Sequence, residues 1–136
     1  MAEHTTDIRV RYSEIDQLGT FYNARALEWF EVGRTELLRA LGMPYPRMEA
    51  RGVCLPLITA HVDYHHRAGY DERLRVATRL AAKGKARLRF DVVITHADEG
   101  HRVAAGYTIH AVTTAEGRPI RPPAWLTDLV KRGMED

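Results

Sequence analysis

The chain has a single cysteine, Cys54, among its 136 residues. One thiol excludes an intrachain disulfide framework. Its place in the apolar run Val53-Cys54-Leu55 favours a buried structural thiol over a nucleophile. Long apolar stretches are missing too. No run approaches the ~18–20 residues of a membrane span, and the first residues, with Glu3 and His4, lack a signal peptide's apolar core. A cytoplasmic protein with no membrane partner is expected. Excess charge of one sign is also absent. A formal net charge of +2 gives little reason to expect nucleic acid, and the basic stretches have no interleaved aromatics for base stacking. Gly-x-Gly-x-x-Gly and phosphate-loop patterns do not occur, and Ser13 has no Gly-x-Ser-x-Gly setting. Among the seven histidines, His61, His65 and His66 alternate with Asp63. No further Cys/His pair with ligand spacing follows, so no metal is expected.

What remains suits one domain, residues 1–136, with a single two-layer core. Ile8, Val10 and Tyr12 alternate with Arg9 and Arg11, which predicts a first strand. Residues 24–41 carry apolar side chains at helical spacing, Ala26, Phe30, Gly33, Leu37 and Ala40, widened by Leu27, Leu38 and Leu41. Asn23 is a good helix cap, and Gly42 followed by Pro44 is a stop. Gly33 should cost this helix about 1 kcal/mol relative to alanine, which a close approach to a sheet would explain. Residues 43–52, with two prolines, read as a loop. Four alternating stretches follow: Ile58, Ala60, Val62, Tyr64; then Leu74, Val76, Thr78, Leu80; then Leu88, Phe90, Val92, Ile94; then Val103, Ala105, Tyr107, Ile109. Lys83-Gly84-Lys85 and Asp98-Glu99-Gly100 mark turns between them. Period-two alternation with one polar face means an antiparallel sheet covered on one side. After Pro122-Pro123, Leu126, Leu129 and Val130 predict a short closing helix. The class is α+β: strand, long helix, four strands, short helix.

The chemistry concentrates in residues 12–23. Asp16, Gly19 and Asn23 stand between the first strand and the long helix. An acid beside the free N–H groups of a helix start suits acyl chemistry, because the amides can hold a developing oxyanion. The plainer reading of Asp16 is a turn cap before Gly19. Tyr12 is either a core tyrosine or a phenol that positions Asp16 or the substrate.

The spacing Asp16-x-x-Gly19-x-Phe21-x-Asn23, then Trp29-Phe30-Glu31-x-Gly33-Arg34-Thr35, resembles the acyl-CoA thioesterases of the 4-hydroxybenzoyl-CoA thioesterase and YbgC/FadM type. It continues more loosely through Tyr64-x-x-Arg67-Ala68. The resemblance implies a hotdog fold, a long helix wrapped by a curved antiparallel sheet. It also implies hydrolysis of an acyl-CoA without cofactor or metal, with Asp16 as general base or nucleophile. Asn23 stands where relatives often carry histidine; its amide can orient water or thioester but cannot take up a proton. Ala26 stands where tyrosine is common, which suggests a different acyl pocket. Lys83, Lys85 and Arg87, with Arg67 as a second candidate, are the expected cations for the CoA phosphates. Glu31 and Arg34 read as a supporting ion pair. Unprotected sheet edges point to a homodimer or homotetramer. An acyl-carrier-protein thioesterase and a non-catalytic acyl-CoA-binding protein are the alternatives.

Overall fold

The computed structural model describes residues 3–134. The elements are β1 (Glu3–Arg9), α1 (Arg25–Ala40), α2 (Tyr45–Ala50), β2 (Leu57–Tyr64), β3 (Arg73–Lys83), β4 (Arg87–His96), β5 (Arg102–Ala111) and α3 (Ala124–Met134). All five strands join one antiparallel sheet in the order β1-β3-β4-β5-β2. The long helix packs on one face, so the expected α+β hotdog arrangement of strand, helix, four strands and closing helix is present.

Two groups of buried side chains meet along α1. Leu37 and Leu38 pack with Leu80, Phe90, Leu126 and Leu129 toward its C-terminal end. Ala26, Trp29 and Phe30 pack with Val10, Phe21, Val76 and Ile94 toward its N-terminal end. Gly33 sits between these groups. A Cβ there would collide with Thr78 Oγ1 and come within 2.9 Å of Val76 Cγ1 on β3. The missing side chain is therefore what lets helix and sheet touch at mid-length, as its cost in a helix implies.

Some expectations are corrected. Ala40 and Leu27 are exposed, and Trp29 takes a place on the buried face instead. Residues 43–52 are not a plain loop, because α2 forms there. Its prolines sit just before and within the first helical turn, where a missing N–H costs nothing. The first strand stops at Arg9, before Tyr12. Val10 still bonds the turn at Asp71 and Glu72, and the chain then leaves the sheet in a single 3₁₀ turn, Tyr12–Glu14. On β5 the face toward the helix is Ala104, Gly106, Thr108 and His110, not Val103, Ala105, Tyr107 and Ile109. Pairing with β4 decides this: Phe90 lies opposite Thr108, and Leu88 opposite His110. Val103 is nonetheless buried, next to an irregularity in that register. Tyr107 lies on the outer face, with Arg89 4.0 Å above its ring.

The outer face is evenly charged. Arg73 and Arg75 pair with Asp7, and Arg79 with Glu3, across the β1–β3 ladder. β2 is an edge strand, and Val62 is its one half-buried residue among exposed neighbours.

Gly33→Ala tests the contact between helix and sheet. Helix propensity alone would gain about 1 kcal/mol. Overpacking against two β-branched side chains held by a strand costs about 1–3 kcal/mol. Urea denaturation should show a net loss of stability, and a stabilised variant would refute the close approach.

Candidate active site

The segment between β1 and α1 is tied down by a buried acid. Glu14 is 4% exposed. Its carboxylate accepts from the Arg11 amide at 2.6 Å and from the Trp29 indole N–H at 3.0 Å, with the Arg11 guanidinium at 3.4 Å. Burial works to raise the Glu14 pKa. The Arg11 amide, the Trp29 indole and the Arg11 guanidinium outweigh it, and hold the carboxyl below the ordinary glutamate range. The Glu14 carbonyl in turn accepts from the Tyr22 amide at 2.8 Å. One residue thus joins both ends of the loop that carries Asp16 to the helix that follows.

Within that loop Ile15 and Phe21 form a two-residue bridge, and the Asp16 amide donates to Thr20 O at 2.8 Å. Gly19, at φ +79°, closes the turn by donating to Asp16 O at 3.0 Å. Asp16 Oδ1 accepts from the Leu18 amide at 2.8 Å. Asp16 therefore does cap the turn before Gly19, and the cap leaves Oδ2 available. A second strap crosses from residues 67–68. Arg67 Nη2 donates to Leu18 O at 2.6 Å, Thr20 Oγ1 accepts from the Ala68 amide at 3.0 Å, and Phe21 N donates to Ala68 O at 2.9 Å.

The start of α1 differs from the expectation. Asn23 is not a side-chain cap: Ala24, with helical φ −66° and ψ −20°, directly precedes the helix, and no side chain caps it. A turn does that work, with the Tyr22 and Asn23 carbonyls accepting from the amides of Arg25 and Ala26. The Asn23 side chain makes no hydrogen bond among the described residues. The backbone amides of Asn23 and Ala24 also lack a partner there, at the positive end of the helix dipole. From β2, Tyr64 Oη donates to Asn23 O at 2.6 Å. Partial burial pushes the Tyr64 phenol up, which keeps it a donor.

These groups share one cavity of about 410 Å³, lined by Asp16, Asn23, Tyr22, Tyr64, His66 and Arg67 among others. It holds a half-buried carboxylate together with the unpartnered backbone amide and the unengaged carboxamide of Asn23 at a helix start. That set can stabilise an oxyanion and act on a carbonyl carbon or on water.

Of the expected site residues, Asp16, Asn23 and Arg67 come together. Tyr12 does not join them: it is 74% exposed, edge-on to Tyr70, and does not line this cavity. It is neither a core tyrosine nor a neighbour of Asp16's pocket, because the strand that would have aimed it ends three residues earlier. Lys83, Lys85 and Arg87 sit at the β3–β4 hairpin, at the other end of β3 from Arg73. The rise of that strand alone is about 30 Å. Within one chain they cannot meet a ligand of the Asp16 cavity at the same point as Arg67. Cys54 is half-buried and pairs with Thr113 by two backbone hydrogen bonds, outside the cavity's lining. Two residues escaped the sequence reading. Glu14 had one weak signal, since a buried tryptophan N–H needs an acceptor. Tyr64 was marked only as part of a matched segment.

A model described as the Thioesterase-like superfamily matches residues 10–130. A Bacillus subtilis protein provisionally named acyl-CoA thioesterase YneP is 43% identical over 72 residues. That match spans 53% of this chain and about half the relative's length, 52%. The 1,4-dihydroxy-2-naphthoyl-CoA hydrolase of Synechococcus elongatus is 27% identical, over 94% of this chain and 95% of its own. A crystal structure of a hypothetical protein from Thermus thermophilus superposes with a TM-score of 0.88, at 32% identity and 96% coverage of each chain.

Glu14→Ala leaves the Arg11 amide and the Trp29 indole unpaired in a buried place, at a cost of about 2–4 kcal/mol measurable by urea denaturation. The pH dependence has a definite sign. The folded carboxyl titrates below the ordinary glutamate value of 4.5. Its contribution is complete above that value and is lost as pH falls below it, through the depressed folded pKa. Stability of wild type should therefore fall more steeply with acid than that of Glu14→Gln. Parallel curves would sink the assignment of a charged, buried Glu14.

Proposed function

The chain belongs to the thioesterase-like superfamily, and from that premise we propose that it hydrolyses an acyl-CoA thioester to the free carboxylic acid and CoA. The observation that carries this reading is that one cavity is lined by both Asp16, a half-buried carboxylate, and Asn23, whose backbone amide is unpartnered at the start of α1; the Ala24 amide, next in the chain, is unpartnered too. The thioester carbonyl oxygen sits against those amides, whose N–H groups bind it more strongly as it becomes an oxyanion. Asp16, with Oδ1 held by the Leu18 amide, works through Oδ2. It either takes a proton from water as that water attacks the carbonyl carbon, or attacks the carbon itself to give a mixed anhydride that water then opens. In both routes the C–S bond breaks and the CoA thiolate leaves, to be protonated. Asn23 orients the water or the thioester through its free carboxamide, in place of the histidine common in relatives. Arg67 stands exposed at the rim, one N–H on Leu18 O and the others directed elsewhere, a suitable partner for a CoA phosphate.

Assembly follows from β2. This edge strand exposes Leu57, Ile58 and Tyr64 at 52%, 45% and 51%, and its unpaired backbone groups can accept a second copy, giving a homodimer or a tetramer built from it. A partner on that edge would lie next to the Asp16 cavity, which Tyr64 lines. The hairpin cations Lys83, Lys85 and Arg87 contribute to CoA binding only if another subunit brings them to this cavity. We place the enzyme in the cytoplasm; no helix of the described residues is long and apolar enough to cross a membrane. A carrier-protein thioester would meet the same residues, and competition by free CoA in a thiol-release assay separates the two carriers.

Asp16→Asn should fold normally and lose about a hundredfold or more in thioester turnover, the usual scale for a positioned base or nucleophile. Near wild-type turnover in the folded variant would overturn the reading. Asn23→Ala should lose less activity and should keep the wild-type melting temperature, because its side chain caps nothing. A melting temperature that drops with full turnover retained would remove Asn23 from the site. For assembly, sedimentation at micromolar concentration should show a dimer or tetramer. A fully active monomer would discard the shared edge.

A further inference from the structure

A second cavity, of about 250 Å³, lies further along α1 and is lined by Glu31, Arg34, Thr35, Tyr45, Phe90 and His110 among others. Its polar groups are unevenly engaged. The His110 ring is committed to protein: Nδ1 lies 2.9 Å from Leu55 O and Nε2 2.9 Å from Thr108 Oγ1. With Nδ1 donating and the Thr108 hydroxyl donating to Nε2, the ring is neutral, which burial also favours. Tyr45 Oη accepts from the Leu55 amide at 2.9 Å, so its own proton is free to donate inward. Arg34 is half-buried, and among the described residues it has neither a hydrogen bond nor an ion pair. Glu31, on the preceding turn at the cavity mouth, is exposed and beyond ion-pair distance, so the expected supporting pair is not formed. Burial disfavours the Arg34 charge, with Glu31 offsetting this in part. The cavity thus holds one guanidinium and one phenol O–H, both donors, with the Glu31 carboxylate and the Thr35 hydroxyl also in its lining, and an apolar wall of Leu38, Leu55 and Phe90.

The two cavities take lining residues from one side of α1, Asn23 in the first and Glu31 and Arg34 in the second, and helix spacing with strand register implies a trough between them. Asn23, Leu27, Glu31 and Arg34, spaced by four, four and three, share a face of α1. Opposite them on β2, Tyr64, Val62 and Ala60 share the side toward the helix, since they pair with Ala104, Gly106 and Thr108 of β5. Leu27 is 39% exposed and Ala60 is exposed, so the trough floor is apolar and uncovered in the chain alone. From Asn23 to Arg34 the helix rises about 16 Å, which an extended ten-carbon chain of about 11 Å spans together with a hydrogen bond of about 2.8 Å at each end.

We propose that this second cavity binds a carboxylate at the far end of the acyl group, making acyl-CoA thioesters with an ω-carboxylate preferred substrates. The inference rests on the acyl-CoA hydrolase reading for its placement of the thioester. The acyl chain lies along Leu27, Val62 and Ala60, and its terminal carboxylate meets Arg34 in the two-bond geometry that guanidinium and carboxylate share, with Tyr45 donating a third bond. A neutral terminus would leave the half-buried charge without a counter-ion. An anionic one supplies it.

The test compares decanoyl-CoA with decanedioyl-CoA by thiol release, and free decanedioate by calorimetry. Wild type should prefer decanedioyl-CoA by at least about tenfold in kcat/KM, carried by KM. Arg34→Met, which keeps the side chain's length, should bring the preference to unity. Glu31→Gln, which removes the competing carboxylate, should tighten decanedioate binding, and it serves as the independent arm if Arg34→Met does not fold. Equal kcat/KM for the two substrates in wild type, or a preference that survives Arg34→Met, overturns the proposal. So does an Arg34→Met variant that loses only subunit association, which would assign Arg34 to a partner's carboxylate. If no acyl-CoA releases thiol, the hydrolase reading has failed separately. The calorimetry then decides: decanedioate binding that weakens in Arg34→Met upholds the cavity's assignment, and no binding overturns it.

Discussion

A buried carboxylate bonded to an indole holds the candidate site together. Glu14 has given up water, and charge-assisted bonds to the Arg11 amide and Trp29, with the Arg11 guanidinium beside them, make that tolerable. Because its partners lie before the loop and inside α1, the bond fixes the loop against the helix rather than either alone. Asp16 follows two residues later, and the amide of Tyr22, at the loop's far end, donates to the Glu14 carbonyl. The acid and the helix start are thereby held at a set separation before any substrate arrives. Such preorganisation is what electrostatic stabilisation of an oxyanion requires.

The second constraint is contact between helix and sheet. Gly33 brings α1 onto Val76 and Thr78, and large apolar side chains fill the space toward both ends. The β5 side of the sheet carries Ala104, Gly106, Thr108 and His110 on the face turned to the helix. Those small and polar residues fill less space than the leucines, valines and phenylalanine of β3 and β4. Cavity and trough therefore open on the β5–β2 side of α1, and the edge strand β2 bounds them. Candidate site, inferred trough and exposed edge are adjacent for one reason: the same side of the helix is left uncovered by this chain's own core.

Much of this was legible in the residues. Alternation at period two named β2 to β5 but caught only the end of β1, which runs Glu3–Arg9 rather than 8–12, and helical spacing named α1 to within one residue at each end. The glycine in the middle of that helix announced the close contact. Asp16 was legible because it lies in a short span between two well-marked elements, with a matching family pattern around it. Less was readable where two patterns compete. β5 alternates on both faces, so only pairing with β4 reveals which set is inside. The prolines at 44 and 46 break a helix in mid-run but begin one just as readily, which hid α2. Asn23 has the right side chain for a cap, yet the backbone turn at Tyr22 already supplied the acceptors.

By itself the sequence determined the order of the strands, the long helix and the closing helix, and the acid in front of the long helix, since periodicity and local turn chemistry act between near neighbours. Tertiary structure alone decided which groups meet. Arg67 reaches Leu18 across 49 residues of chain, Tyr64 reaches Asn23 across 41, and Tyr12 and the β3–β4 hairpin are carried away from the cavity. No local pattern encodes these pairings. They are set by where a twisted antiparallel sheet, packed against one helix, brings the ends of its strands.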